Sequence, residues 1–281
     1  MAPDTATLAG WTVRRVGFGA MQLPGPGVLG PPKDRATALQ VLRRAVEAGV
    51  NHIDTAQFYG PNVANELIRE ALFPYPDDLV LVSKVGAARD DTGAWHPAQR
   101  PEELRSGVEE NLVTLGVDRV PVVNLRRHEG GDVPFDDQIE AMTALRDEGL
   151  IGAIGLSGVS LAEYRRAQQS IEVACVQNAY NLADRSGQDV FDACDADGVP
   201  YVPFFPLGSA FFPENPVLGH PVIKEAAATM GVTPAQVALA WLLHLSATVL
   251  LIPGTSSLQH LEENLAVADV VLDPSALAAL Q

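Results

Sequence analysis

Three side chains in the first third of the chain have the types and spacing of a proton-transfer device. Asp54 and Lys84 each end an apolar, strand-like run, and Tyr59 follows Asp54 in a short loop. If the two runs are neighbours, carboxylate and ammonium form an ion pair, and the tyrosine hydroxyl can fold back over it. A free phenol has a pKa near ~10, too high for acid–base work at neutral pH. An adjacent ammonium favours the phenolate and is expected to lower that value, while the carboxylate holds the lysine in place. A structural salt bridge would account for Asp54 and Lys84 alone; the tyrosine tips the reading toward chemistry. Gln22, Arg126, His128, Ser157, Gln177 and Asn178 stand at or just past the ends of other strand-like runs. No G-x-S-x-G elbow or zincin helix competes with the trio. A Schiff-base role for Lys84 is the alternative chemistry left open.

Short apolar runs that could carry these residues alternate with helical patterns along the whole chain. The runs span 15–19, 51–54, 79–84, 120–125, 151–157, 173–177, 201–205 and 249–253. Asp34 can cap a helix whose inner face is Leu39, Val41, Leu42, Ala45 and Val46, ended by Gly49. Pro101, followed by Glu102 and Glu103, opens another, with Leu104, Val108, Leu112 and Leu115 at helical spacing and Gly116 at its end. Thr233 and Pro234 begin a third, through Val237, Ala240, Trp241 and His244. Strand then helix, repeated without a break in composition, predicts a (β/α)8 TIM barrel as a single domain over 1–281. Active-site residues of such a barrel come from the carboxyl ends of its strands. A doubly wound sheet is the runner-up, but no G-x-G-x-x-G follows an early strand.

Composition narrows the partners. The 281 residues carry 35 acidic and 19 basic side chains, a formal charge of −16. Such a surface repels phosphate backbones and anionic lipids, so neither nucleic acid nor membrane is an expected partner. An anionic ligand would need a local exception built from backbone N–H groups and helix N-termini. The first ten residues show no signal-peptide pattern, and a cytoplasmic location is expected. Cys175 and Cys194 make neither a disulfide framework nor a zinc-ligand set; Cys175, in an apolar run, reads as a buried structural thiol.

DTAQFYG, 54–60, resembles the aldo-keto reductase signature of aspartate, Thr-Ala and tyrosine-glycine. LVLVSK, 79–84, IGAIGLSG, 151–158, VQNAYNL, 176–182, FFPLGS, 204–209, and IPGTSSLQHLEEN, 252–264, are similar to further blocks of that family in the same order. The resemblance covers essentially the whole chain. It implies reduction of an aldehyde or ketone with a nicotinamide cofactor, Tyr59 donating the proton and Lys84 and Asp54 tuning it. It also implies a cofactor site made by Gly19, Met21 and Asp54, with Ser157 and Gln177 on the carboxamide and Phe204 stacked on the nicotinamide. Pro206, Leu207 and Ser209 would cover the pyrophosphate, and Gly254, Thr255, Ser256, His260, Glu263 and Asn264 would hold the adenosine end.

The sequence departs from the family pattern in three respects. Arg126 stands where relatives carry a catalytic histidine, and His128 lies two residues on. Either Arg126 donates to the carbonyl oxygen or His128 reaches back to do so; residues i and i+2 share a strand face but are about 6–7 Å apart along it, which favours Arg126. A guanidinium stabilises an oxyanion but does not readily relay a proton. Gly158 replaces an asparagine that follows the serine in many relatives. Gly254 and His260 replace a frequent lysine and arginine, which leaves a 2′-phosphate to hydroxyls, backbone and one histidine; the resemblance still implies NADPH as the cofactor, with NADH use possible.

Gln22, Phe58, Trp95 and Phe211 or Phe212 are candidates to line the substrate pocket, Trp95 equally placed for loop packing. Aromatic walls suit planar or apolar carbonyl compounds. The short end after 271 points to an open pocket. His52 and His244 read as satisfied core or helix residues. A cofactor-bound sensor or regulatory subunit with little turnover is the alternative function, and the oligomeric state is not legible.

Overall fold

A computed structural model describes residues 4–90, 92–128, 130–208 and 215–280. An antiparallel hairpin, β1 (Thr5–Leu8) and β2 (Trp11–Arg14), opens the chain. The central sheet is parallel and six-stranded: β3 (Phe18–Gly19), β4 (His52–Asp54), β5 (Val80–Val85), β8 (Val120–Arg126), β9 (Ile151–Ser157) and β10 (Val173–Gln177), in the order β10-β9-β8-β5-β4-β3. A second hairpin, β6 (Ala87–Arg89) with β7 (Trp95–Pro97), is inserted directly after β5. The helices are α1 (Arg35–Glu47), α2 (Val63–Leu72), α3 (Pro101–Leu115), α4 (Phe135–Asp147), α5 (Leu161–Ala167), α6 (Gln188–Asp197), α7 (Pro221–Met230), α8 (Pro234–Leu245), α9 (Leu258–Leu265) and α10 (Pro274–Ala279).

Helix boundaries follow the capping chemistry. The Asp34 carboxylate accepts from Thr37 N at 3.0 Å at the start of α1. α3 begins at Pro101 and stops at Gly116, whose φ of 70° is costly for residues with a Cβ. Thr233 and Gln236 form a reciprocal capping box on α8. In α1 the fully buried stripe is Ala38, Val41, Leu42 and Ala45; Leu39 and Val46 are only partly covered.

The runs at 201–205 and 249–253 differ from expectation, because they join the sheet through single residues. Tyr201 bridges Val176 on one side and Val249 on the other, and Leu251 bridges Val16. Val202 N donates to Val176 O at 2.8 Å, Leu250 N to Tyr201 O at 3.0 Å, and Leu251 N to Arg15 O at 2.8 Å. Pro203 and Pro253 have no N–H, so neither can donate to a ladder there. Among the described residues, therefore, the predicted eight strands are six strands and two bridged segments, and a closed eight-stranded ladder is not present.

Leu8 and Val13 of the first hairpin form one buried cluster with Val80, Val82, Val122, Ala174, Cys175, Val202 and Leu250. The hairpin thus covers the apolar interior at the amino ends of the strands and leaves their carboxyl ends for the site. Burial pushes the Cys175 thiol up to about 12, as expected of a structural cysteine. No single helix among the described residues is long and apolar enough to cross a membrane.

Candidate active site

Strand register gathers the polar residues into a row. Gly19 pairs with Asp54 across β3 and β4, Arg126 with Ser157 across β8 and β9, and Ser157 with Gln177 across β9 and β10. Lys84 on β5 sits two residues beyond Val82, the partner of Asp54. The row forms the floor of a cleft of about 720 Å3 at the carboxyl ends of the strands.

At its centre Lys84 Nζ donates to Asp54 Oδ1 at 2.5 Å and to Thr55 O at 3.0 Å. The other carboxylate oxygen, Oδ2, accepts from Gln177 Nε2 at 2.9 Å. Both ion-pair side chains are about nineteen-twentieths buried, with 5% and 4% exposed. The Lys84 ammonium lies 5.0 Å from the centre of the Tyr59 ring. Burial alone would lower the lysine, but the Asp54 carboxylate and Tyr59 outweigh it and hold Lys84 above its ordinary value.

For Tyr59 the balance reverses the expectation. Burial pushes the phenol upward, and the pull of Lys84 and Arg126 does not overcome it, since Asp54 adds to the upward push. The phenol is therefore held in its protonated form at neutral pH. Lysine proximity was legible from spacing; the depth of the ring, only 6% exposed, was not.

A network beneath the 54–62 loop fixes where Tyr59 sits. Thr55 Oγ1 donates to Asn65 Oδ1 at 2.8 Å, Asn65 Nδ2 to Asn111 Oδ1 at 2.9 Å, and Asn111 Nδ2 to Gln57 Oε1 at 3.0 Å. Ser83 also donates to Asn111 Oδ1, at 2.5 Å. One amide on α3 thus ties together the strand bearing Lys84, the loop bearing Tyr59 and the helix that follows. Buried amides of this kind look like helix-surface residues in the sequence, because their partners are far along the chain.

Arg126 and His128 both line the cleft, but their surroundings differ. The Arg126 guanidinium donates through Nη1 to Ser157 Oγ at 3.2 Å and stacks 4.9 Å from the centre of the Phe204 ring. Burial lowers it, and Tyr59 raises it in part. The strand's alternation sends Arg127 the other way, to Glu163 at 2.9 Å. The Gln99 amide reaches the carbonyls of Arg126 and His128, at 3.2 and 3.5 Å.

The remaining predicted residues sort by place. Gly19, Met21, Gln22, Phe58, Pro206, Leu207, Gly254, Thr255, Ser256 and His260 all line the cleft, with Gly254 packed against Gly19 and Gln22. Trp95 is on β7 rather than in a loop, edge-on to Phe58 at 5.5 Å and under the Arg89 guanidinium at 4.6 Å. Glu263 and Asn264 are on α9 and do not line the cleft; the Glu263 carboxylate accepts from Gln259. Ser209, Phe211 and Phe212 lie outside the described residues. Asn178 holds the β9–α5 turn, bonding Val159 N and O at 3.1 and 2.7 Å. His52 is buried as expected; its ring nitrogens face the backbone of Arg14 and Leu251, outside normal hydrogen-bond geometry.

Known proteins with similar sequence and structure bear on this site. Pyridoxine 4-dehydrogenase of Escherichia coli (strain K12) is 49% identical over 285 aligned positions, covering 100% of this chain and 98% of that protein. A crystal structure of an aldo-keto reductase from Klebsiella pneumoniae in complex with NADPH superposes with a TM-score of 0.84 at 28% identity, over 100% of this chain and 94% of that one. Another from the same organism, in complex with NADP and acetate, gives 0.82 at 27% identity, over 99% and 94%. The model of the aldo/keto reductase family matches residues 15–281, and this chain belongs to that family.

Proposed function

We propose that this protein reduces a small aldehyde or ketone to the alcohol with NADPH, Tyr59 giving the proton, on a barrel that the bridged segments at 201 and 249–251 complete. The observation that carries this reading is the buried Lys84–Asp54 pair under a protonated Tyr59 at a cleft that also holds Arg126. The E. coli relative supports a pyridine substrate, interconverted between pyridoxine and its 4-aldehyde.

The donors around the cleft fit a nicotinamide dinucleotide. Ser157 and the free carbonyl end of Gln177 are neighbours in register and suit a carboxamide. Thr255 and Ser256 precede α9, whose N-cap Ser257 accepts from His260 N, so hydroxyls and first-turn N–H groups suit a phosphate. His260 lines the same end of the cleft. When bound, the cofactor supplies the hydride, and the solved relatives with NADP and NADPH support that choice.

The chain's own residues do the rest. Tyr59 delivers its proton to the carbonyl oxygen as that oxygen becomes an alkoxide, a base strong enough to take it even from a phenol that burial has raised. Lys84, fixed by Asp54 and Thr55, presents positive charge beside the phenolate that remains. Gln177 locks the carboxylate so that it cannot turn toward Tyr59. Arg126, held by Ser157 and Phe204, offers fixed N–H donors to the developing alkoxide without a proton of its own to give.

NADPH consumption with pyridoxal and a panel of other aldehydes tests the proposal. Tyr59→Phe should cut kcat by about a hundredfold or more while NADPH still binds. Equal turnover by wild type and Tyr59→Phe would refute the proton assignment. Tight cofactor binding by the wild type with no turnover would instead favour a sensor. Borohydride trapping that gave a covalent Lys84 adduct would point to Schiff-base chemistry.

A further inference from the structure

Arg126 and Gly158, two separate departures in the sequence, form one physical unit. Gly158 follows β9 with φ +67°, and a Cβ built on it would fall 2.9 Å from Arg126 Nη1 and 3.3 Å from its Cζ. The space an ordinary side chain would fill is the space the guanidinium occupies. Asparagine tolerates that backbone region, but it would push the guanidinium off its perch between Ser157 and Phe204.

The guanidinium so held has no counter-ion among the described residues. Among the described residues no carboxylate lies within ion-pair distance of it, whereas its neighbour Arg127 has Glu163. The nearby Asp54 has both carboxylate oxygens committed, to Lys84 and to Gln177. A charge kept largely from water without an opposite charge is costly unless a ligand supplies one. Among the described residues only Nη1 is engaged, by a neutral hydroxyl, which leaves the rest of the fork for a second oxygen.

We propose that Arg126, given room by Gly158, is an anion subsite that selects carbonyl compounds bearing an ionised oxygen on the carbon next to the one that carries the carbonyl group. An ortho-hydroxy aromatic aldehyde is the simplest such class. Its carbonyl and phenolate oxygens lie side by side, as the two oxygens of a carboxylate do, and match a planar guanidinium fork. Phe58 and Trp95 give its ring an aromatic wall. Pyridoxal belongs to this class through its ring hydroxyl, so the inference rests on the proposed reduction and names what the site reads in its substrate.

The test uses 2-hydroxybenzaldehyde and 2-methoxybenzaldehyde at mildly alkaline pH, with pyridoxal alongside. The wild type should prefer the hydroxy compound in kcat/KM by about tenfold or more, roughly 1.4 kcal/mol. Most of that preference should lie in KM, because the ionised oxygen is present before and during reaction. In Gly158→Asn and in Arg126→Met the ratio between the two aldehydes should fall to within about threefold, whatever happens to the absolute rates. Arg126→Lys should recover part of it, keeping the charge and losing the fork. A wild-type ratio near one, or a ratio unchanged in either variant, overturns the subsite. Failure to reduce pyridoxal with the hydroxy preference intact overturns the pyridine substrate and leaves the subsite standing; no turnover of any aldehyde overturns both.

Discussion

Removing the Lys84 side chain while keeping its volume, as in Lys84→Met, isolates the energetics of the central ion pair. The variant leaves the Asp54 carboxylate buried, with only Gln177 donating to it. Breaking a buried pair by deleting one partner costs about 3–5 kcal/mol, and the surviving amide bond places this case near the lower end, about 3 kcal/mol. For a chain of this size each kcal/mol moves Tm by about 2–4 °C, so a fall of about 6–12 °C is expected. Asp54→Asn with Lys84→Met removes both charges together and should fall by less than the single lysine variant, because no uncompensated ion remains. Thermal unfolding followed by circular dichroism at neutral pH measures all three proteins. The lysine also sets an alkaline limit. Its pKa is higher in the folded chain than in the unfolded one, so its stabilisation is complete below about pH 10 and is lost as pH rises through the folded value. A Lys84→Met Tm within about 2 °C of wild type would refute the reasoning. So would a double variant that loses as much as the two singles added together.

His52 supplies an acid-side counterpart. Burial pushes it down to about 4, so the unfolded chain binds its proton first and stability falls as pH drops from about 6.5 to 4, by about 3 kcal/mol. His52→Met should flatten that part of the urea-unfolding pH profile; a slope unchanged in the variant would remove His52 as its cause. Gly17→Ala places a Cβ 2.2 Å from the same imidazole and should cost about 1–3 kcal/mol by overpacking, read as a lower urea midpoint. The buried Tyr201 hydroxyl has no hydrogen-bond partner among the described residues, so Tyr201→Phe should leave Tm unchanged or raise it, and a fall of several degrees would show a partner at that oxygen.

The site was legible where chemistry follows chain order and obscure where it depends on depth. Asp54, Lys84, Ser157 and Gln177 could be placed from the sequence because each ends an apolar run, and parallel register then sets them side by side. The direction of the Tyr59 shift could not, because spacing reveals a neighbouring lysine but not how little water reaches the ring. Gln177 shows a similar limit: its amide is spent on Asp54, a partner 123 residues away that no local pattern announces. The Asn111 network and the β6–β7 hairpin that carries Trp95 were missed for the same reason, since long-range amides and short inserted strands leave no period to detect. At 201–205 and 249–253 the apolar character that marks a strand coexists with Pro203 and Pro253, which cannot make ladder bonds, so hydropathy alone overstates the strand there.

The departures in the sequence gain a common cause once charge is followed into the cleft. Around Tyr59 the structure sets Lys84 and Arg126 against Asp54, two cations and one anion, a local charge of +1 on a chain whose formal charge is −16. A histidine at 126 could shed its proton and leave that balance at zero; an arginine cannot. The fixed charge stands where an anionic substrate oxygen would arrive, while the remaining surface repels anions and so disfavours their binding elsewhere. Burial then acts in opposite senses on the two key groups. It raises Tyr59, keeping a proton to give, and lowers Arg126 without neutralising it, keeping a donor that has none to spare. In the proposed reaction, proton delivery and oxyanion binding thus fall to different side chains. Gly158 is the residue that makes room for this division, because a Cβ there would displace the guanidinium before it could meet a substrate.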